Sequence, residues 1–161
     1  MQLLRTLAFC GLLAFWAVPL SAVAQDSSYM RVPNEDPEMT EARTKALETL
    51  PQFWDKMARP GPEENNFSLK VGFPFGTNNS EHMWLKDIER KDGKLFGTIN
   101  NVPRDVKTVR AGQRVEIDEK RISDWMYYRS GKIVGGHTIR PLIKRMPPAD
   151  AARYREMLAE P

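Results

Sequence analysis

The residue types best suited to chemistry in this chain are two histidines, an aspartate and an arginine: His82, His137, Asp124 and Arg140. A histidine paired with a carboxylate can act as a general acid and base, and a mixed set of such groups can bind a metal. The two histidines are the only ones present, and neither lies in a His-x-x-x-His or His-x-Glu pattern. The spacing predicts no metal site and no cofactor. It leaves these four residues as candidates for an acid–base site.

Motifs for nucleophilic and phosphate chemistry are absent from the sequence. Ser80, Ser123 and Ser130 do not lie in a Gly-x-Ser-x-Gly turn. Gly135-Gly136 is not followed by the Lys-Ser/Thr pair of a phosphate-binding loop. These absences favour a non-enzymatic module over the alternative, a small hydrolase-like enzyme that uses a His/Asp acid–base pair.

Asp124 lies within an alternating run, residues 122–128, that is typical of a strand. The even-numbered residues of this run share one face, so the carboxylate lies among apolar neighbours. A buried carboxylate needs a partner, because an unpaired charge away from water is costly. We expect Arg140, which follows the glycine bend, to form an ion pair with Asp124; Arg121 and His137 are the alternative partners.

Large aromatic side chains form the second group of candidates. Trp84, Trp125, Tyr127 and Tyr128 lie on short strand-like runs. A single core can bury only some of these side chains, because they lie on both faces of their strands. Core packing and an exposed surface for a protein, peptide or glycan partner are both open interpretations. Trp84, Trp125 and Tyr127 are the candidate binding residues.

The N-terminal residues 1–24 are typical of a signal peptide. Arg5 is the only charge before the apolar run Leu7–Val18, Pro19 interrupts that run, and Ala22-Val23-Ala24 fits a cleavage site. We expect a periplasmic or secreted protein that meets the membrane only transiently, through this segment. An uncleaved signal would instead make it an envelope-anchored structural protein, because the segment is long enough to span a bilayer.

The exported chain is small, without cysteine and balanced in charge. Cys10 is the single cysteine and lies within the predicted signal. The formal charge of the whole chain is +3, and both signs alternate along it. A nucleic-acid-binding domain would show a concentrated basic face, so the sequence predicts no nucleic-acid partner. The polar run at residues 25–36 has little periodicity and predicts a flexible leader. The remaining length predicts one domain at 37–161.

Two helices and several strands are expected. Asp36 and Pro37 are typical of a helix start, and the apolar stripe that follows runs to Leu50, with either an interruption or a second short helix at Pro51. Residues 148–158 predict a closing helix. Between the helices, strand-like runs and turn signals predict strands near 67–73, 83–88, 95–99, 114–117, 122–128 and 133–134. The predicted fold is α+β: a small, strongly curved antiparallel sheet or partly open barrel of five to six strands, flanked by an N-terminal and a C-terminal helix.

Several phrases within residues 67–145 resemble one bacterial family. They are Glu81-His82-Met83-Trp84-Leu85, Asp92-Gly93 with Phe96-Gly97 and Asn100-Asn101-Val102-Pro103, Ala111-Gly112-Gln113-Arg114-Val115, Ile122-Ser123-Asp124-Trp125-Met126-Tyr127 and Gly135-Gly136-His137-Thr138-Ile139-Arg140. In this order they resemble the family called domain of unknown function 2314. The resemblance implies the limits of a family-like core and no established chemistry. The leading hypothesis is an exported, non-enzymatic binding or accessory domain.

We expect the signal to be removed after Ala24, because Pro19 ends the apolar run and small residues precede the cleavage point. N-terminal sequencing of protein isolated from the cell envelope checks this prediction. A chain that still begins at Met1 would contradict it.

Overall fold

The computed structural model describes residues 36–160 and begins with one long helix, α1 (Pro37–Ala58). The Asp36 side chain accepts a hydrogen bond of 2.9 Å from the Met39 backbone N–H, so it caps the helix as expected. The helix continues through Pro51, so the interruption or second short helix expected at this residue was wrong. Pro51 is exposed, and its missing N–H costs one backbone hydrogen bond without ending the helix.

Six antiparallel strands form a single open sheet in the order β4-β3-β2-β1-β5-β6. This confirms the α+β fold with a small antiparallel sheet, and the sheet does not close into a barrel. Tight turns at Asp92-Gly93 and Ser130-Gly131 join two of the hairpins, with positive φ angles at all four residues. The strands are β1 (Glu64–Phe75), β2 (Asn79–Lys91), β3 (Lys94–Ile99), β4 (Arg114–Ile117), β5 (Ile122–Arg129) and β6 (Lys132–Gly135).

Two short helices follow β6: α2 (Ile139–Ile143) and α3 (Pro148–Met157). The second matches the predicted closing helix. The first was not expected from the sequence, because five residues that include Pro141 carry no readable helical period. Within residues 36–160, no helix is both long and apolar enough to cross a membrane.

The two faces of the sheet support two apolar clusters. One lies between the sheet and α1, where Phe53 is fully buried against Leu69, Leu85 and Trp125. The Trp125 indole N–H donates a hydrogen bond of 2.9 Å to the Ala46 carbonyl, which ties β5 to α1. The other cluster lies under α2 and α3, around Ile133, Ile139, Ile143 and Ala151.

A β-bulge at Ser123 changes the predicted faces of β5. Asp124 pairs with Lys70 of β1, whereas Ile122 pairs with the next residue, Val71. Ser123 is therefore an extra residue, and the alternation reverses across it. Ile122 packs in the α1 cluster with Trp125, so the prediction that Ile122 and Asp124 share a face was wrong.

Replacement of Trp125 by alanine is expected to lower the free energy of unfolding by about 3–5 kcal/mol, because this buried indole leaves a large cavity. Chemical denaturation of the purified variant measures the loss. Leu47→Ala is the control: Leu47 is 49% exposed on α1, and such surface changes cost about 0.5 kcal/mol or less. Equal losses in the two variants would contradict the packing described here.

Candidate functional site

Asp124 is the centre of the region where the predicted site residues meet. Its side chain has no exposed surface. One carboxylate oxygen accepts the backbone N–H groups of Trp125 at 2.8 Å and His137 at 3.2 Å. The other accepts the Thr138 backbone N–H at 2.7 Å and the Thr138 hydroxyl at 2.6 Å. Four donors therefore stabilise the buried charge without a cation in direct contact.

Arg140 does not pair with Asp124, which corrects the expectation from the sequence. Its guanidinium donates to the carbonyl oxygen of Ala159 at 3.1 Å, and Arg121 pairs with Asp118 at 3.2 Å. The reason is that the backbone N–H groups of His137 and Thr138, which precede α2, already occupy the carboxylate oxygens. Arg140 lies within α2, beyond the segment that contacts Asp124.

Lys70 is the cation nearest in register to Asp124, and sequence reasoning missed it. The two residues are directly opposed on β1 and β5. The Lys70 ammonium donates to the Thr138 hydroxyl at 3.0 Å, so Thr138 bridges the cation and the carboxylate. Burial lowers the pKa of Lys70, and the Asp124 charge opposes that change. On its other side the ammonium lies 5.6 Å from the centre of the Trp84 ring.

His82 contacts a serine and not Asp124, the candidate partner in the acid–base alternative. Its Nδ1 lies 2.8 Å from the Ser123 hydroxyl, which the bulge directs toward β2. Burial and, to a smaller extent, the charges of Arg43 and Lys70 lower the pKa of His82 to about 4. The imidazole is therefore neutral at physiological pH.

The second histidine lies on the α1 side. The Nε2 atom of His137 lies 3.1 Å from the Thr49 hydroxyl, and the ring packs edge-on against Trp125. Burial lowers its pKa, and the Asp124 charge opposes this. Both imidazoles thus bond to hydroxyl groups, while the Asp124 carboxylate bonds only to amides and Thr138.

The arrangement does not resemble a catalytic triad. A serine nucleophile needs a histidine whose far ring nitrogen is held by a carboxylate. Here Ser123 is buried, and the carboxylate of Asp124 is already occupied by four donors. Among residues 36–160, no group of three or more histidine, cysteine or carboxylate side chains is placed to hold a metal ion.

The predicted aromatic residues divide between the two clusters. Trp125 and Tyr127 are buried with α1, and their rings stack at 6.1 Å. Trp84 is half-buried at the margin of the α2–α3 cluster. Core packing is thus the observed role of Trp125 and Tyr127, whereas Trp84, beside Lys70, and Tyr128 are only partly buried.

A second feature, a cleft between β1 and β2, was not foreseen from the sequence. The two strands pair only from Leu69↔Leu85 to Phe75↔Asn79. Beyond Leu69 and Leu85 each strand pairs with its outer neighbour alone, β1 with β5 and β2 with β3. A cavity of about 640 Å³ lies at this opening; its lining residues are Met57, Asn66, Phe67, Ser68, Lys86, Asp87, Ile88, Asn100, Met126 and Tyr128.

Two bulges accompany the opening. Asn66 and Asp87 adopt left-handed backbone conformations, with φ angles of 54° and 52°. Each lies where its strand's pairing with the outer neighbour shifts register, between Asn65 and Ser68 on β1 and between Lys86 and Glu89 on β2. Bulges bend strands and redirect side chains, and they are common beside functional sites. Asparagine and aspartate within a strand pattern were the available signal, since both tolerate this conformation.

A rigidly held loop borders the cleft. Asn101 accepts a hydrogen bond of 2.6 Å from the Trp84 backbone N–H. The buried carboxylate of Glu81 accepts the backbone N–H groups of residues 104, 105 and 106 at 2.8, 3.0 and 2.9 Å. Between these anchors Val102 is 76% exposed. The loop therefore holds an apolar side chain in solvent close to Asn100, which lines the cleft.

Comparisons with known proteins support the resemblance found in the sequence. The chain matches the family model "Uncharacterized protein conserved in bacteria (DUF2314)" over residues 36–159, which include α1 and α3. It is 43% identical over 120 residues to "Uncharacterized protein YegJ" of Escherichia coli (strain K12), covering 74% of this chain and 76% of that protein. No solved structure matches the chain.

A second relative is longer. The chain is 30% identical over 129 residues to "Putative ankyrin repeat protein NMB1133/NMB1171" of Neisseria meningitidis serogroup B (strain ATCC BAA-335 / MC58). The match covers 75% of this chain and 51% of that protein. This chain therefore corresponds to about half of the Neisseria protein.

The Thr138 hydroxyl is predicted to stabilise the fold. In Thr138→Val a similar shape is kept, but Asp124 loses a donor and Lys70 loses an acceptor, so unfolding should become easier by about 1–3 kcal/mol. Thr138→Ser keeps the hydroxyl and is the matched control. Denaturant titration that finds the valine variant as stable as the serine variant would contradict the bridge.

His82 should make stability depend on pH. Its folded-state pKa is about 4, below the ordinary value of 6.5, so the unfolded chain binds a proton preferentially between these values. The resulting stability is complete above about pH 6.5 and is lost as the pH falls toward 4; the total is on the order of 3 kcal/mol. Denaturation of the parent and of His82→Gln across this range isolates the contribution. Parallel pH profiles for the two proteins would refute it.

Proposed function

The chain belongs to the bacterial family DUF2314, and from that premise we propose that it is an exported, non-enzymatic module that binds a short peptide segment of a partner protein. The binding site is the cleft between β1 and β2. Export rests on the predicted signal at residues 1–24. The observation that carries the proposal is the separation of the two central strands beside the cavity.

The cleft offers the edges of two strands. Residues 66–68 of β1 and 86–88 of β2 lie outside the pairing between these strands. Unpaired strand edges present backbone N–H and C=O groups that can bond to another extended chain. Addition of a peptide strand is a recurring form of recognition that uses this chemistry. The volume of about 640 Å³ lies within the roughly 300–1,000 Å³ usual for ligand sites.

The lining combines apolar and polar groups. Met57, Phe67, Ile88 and Met126 supply apolar contact, while amide, hydroxyl and charged groups come from six other residues: Asn66, Ser68, Lys86, Asp87, Asn100 and Tyr128. A site with convergent polar groups on an apolar base suits a small polar chain. The two bulges hold Asn66 and Asp87 on opposite lips, so they can contact both edges of a bound segment.

Val102 favours a peptide over a glycan. An exposed aliphatic side chain on a rigid loop is suited to contact an apolar side chain of a partner. It is one of two large hydrophobic residues that are exposed among residues 36–160; the other is Leu47 on α1. The Neisseria relative is named as an ankyrin repeat protein, and ankyrin arrays form extended binding surfaces. A family domain joined to protein-binding units is compatible with this proposal.

The hydrolase alternative has less support. Its observation is the contact between Ser123 and His82, but Ser123 is buried, and Asp124 bonds to neither imidazole. A pKa of about 4 also makes His82 a weak base.

Peptides are expected to bind in the cleft. In an NMR titration of the isotope-labelled domain, a pool of random pentapeptides should shift the backbone amide signals of residues 66–68, 86–88 and 100–102. A pool of short oligosaccharides serves as the comparison. Shifts with the oligosaccharides and none with the peptides would contradict the proposal and assign the cleft to glycans.

Val102 is expected to contribute to peptide affinity. Val102→Asp should weaken binding of a peptide selected from the pool by about tenfold, because an apolar contact is replaced by a charge. Leu47→Asp introduces the same charge at the other exposed hydrophobic residue and should leave affinity unchanged. Isothermal titration of both variants gives the comparison; a Val102→Asp protein that binds like the parent would exclude the loop from the site.

A further inference from the structure

We propose that Lys70 and His82 form a binding site for a small oxyanion, a carboxylate or a phosphate group, with Arg43 as an additional positive charge. Lys70 and His82 come from two adjacent strands and Arg43 from α1. All three residues are half-buried. This site lies one register row beyond the β1–β2 cleft and does not depend on peptide binding there.

The Lys70 ammonium has unused donors. Its hydrogen bond within the described part of the chain goes to the Thr138 hydroxyl, and it forms no ion pair with a carboxylate of residues 36–160. An ammonium carries three N–H groups. Trp84 provides one wall of the site through its ring, which leaves an acceptor to be supplied from solvent or from a ligand.

The acid opposite Lys70 interacts with the ammonium through the Thr138 hydroxyl and not in a direct ion pair. Asp124 is fully buried, and four donors occupy its two oxygens. These donors are amides and a hydroxyl, so the carboxylate stabilises the chain before α2 and makes no direct contact with Lys70. An incoming anion would therefore face the cation without first displacing a side-chain carboxylate.

His82 adds a second polar group. Gly72 lies opposite it on β1, and a Cβ atom there would lie 3.1 Å from the ring, so the glycine leaves room for the imidazole. Nδ1 contacts Ser123, whereas Nε2 has no partner among the described residues. Nε2 is therefore the ring nitrogen that a ligand would contact.

Arg43 supplies a further positive charge. It lies on the inner stripe of α1, four residues after Met39 and three before Ala46, both of which are buried. Its guanidinium makes no hydrogen bond or ion pair within residues 36–160. The Ser123 hydroxyl, which contacts His82, also donates to the Lys70 carbonyl oxygen at 3.3 Å, so His82 and Lys70 lie close together. The charges of Arg43 and Lys70 both lower the pKa of His82. An anion there would offset their mutual repulsion.

Inorganic phosphate is the probe for this site. Thermal unfolding at constant ionic strength, with chloride as the balancing ion, should show a rise in melting temperature of about 3 °C at saturating phosphate. Lys70→Met should abolish the rise. Lys94→Met is the matched control, because Lys94 is exposed and paired with Glu116 on the β3–β4 edge. Phosphate also stabilises proteins by exclusion from their surfaces, so the difference between the two variants is the readout.

A second measurement needs no variant and remains decisive if Lys70→Met does not fold. The NMR signal of the His82 ring is followed against pH with and without phosphate. A bound anion favours the protonated ring, so the pKa of about 4 should rise by about one unit. An unchanged His82 pKa would overturn the proposal, as would a phosphate effect that is equal in Lys70→Met and Lys94→Met.

Discussion

The fully buried carboxylate of Asp124 is the interaction on which the rest of this structure depends. It binds the amides of His137 and Thr138, which lead into α2, and so fixes the direction of the chain as it leaves β6. α2 in turn packs with α3 over one face of the sheet. Because hydrogen bonds to a buried charge are stronger than neutral ones, one acid stabilises a junction that no disulfide holds within residues 36–160.

Irregularities of the central strands produce the features that can bind. The bulge at Ser123 directs a hydroxyl toward His82. The two bulges at Asn66 and Asp87 accompany the separation of β1 from β2. A regular sheet would have continued the ladder through residues 66–68 and 86–88 and closed the cleft. β1 and β2 are therefore unpaired with each other over these residues, and their facing edges are open.

Local patterns made the elements predictable, while long-range pairing did not. Asp36 and Pro37 predicted the start of α1, and the strand-like runs between turn signals predicted the strands, because caps and turns depend on neighbouring residues. The prediction of the face on which Ile122 lies was wrong, because a bulge reverses the alternation of side chains and no residue type in the sequence identifies it. The partner predicted for Asp124 was also wrong. The carboxylate accepts backbone N–H groups of residues 137 and 138, and every residue type except proline carries such a group, so the sequence does not mark them. Lys70 and the β1–β2 cleft depend on register between distant segments, which one sequence does not specify.

Amide hydrogen exchange at the cleft tests the central claim most directly. In the free protein, the amides of residues 66–68 and 86–88 that point into the cleft should exchange quickly, because they lack partners across the β1–β2 opening. A bound peptide that adds as a strand should slow these amides by about tenfold or more and leave those of the paired segment 69–75 unchanged. Equal exchange at residues 66–68 and 86–88 with and without bound peptide would contradict recognition through the strand edges.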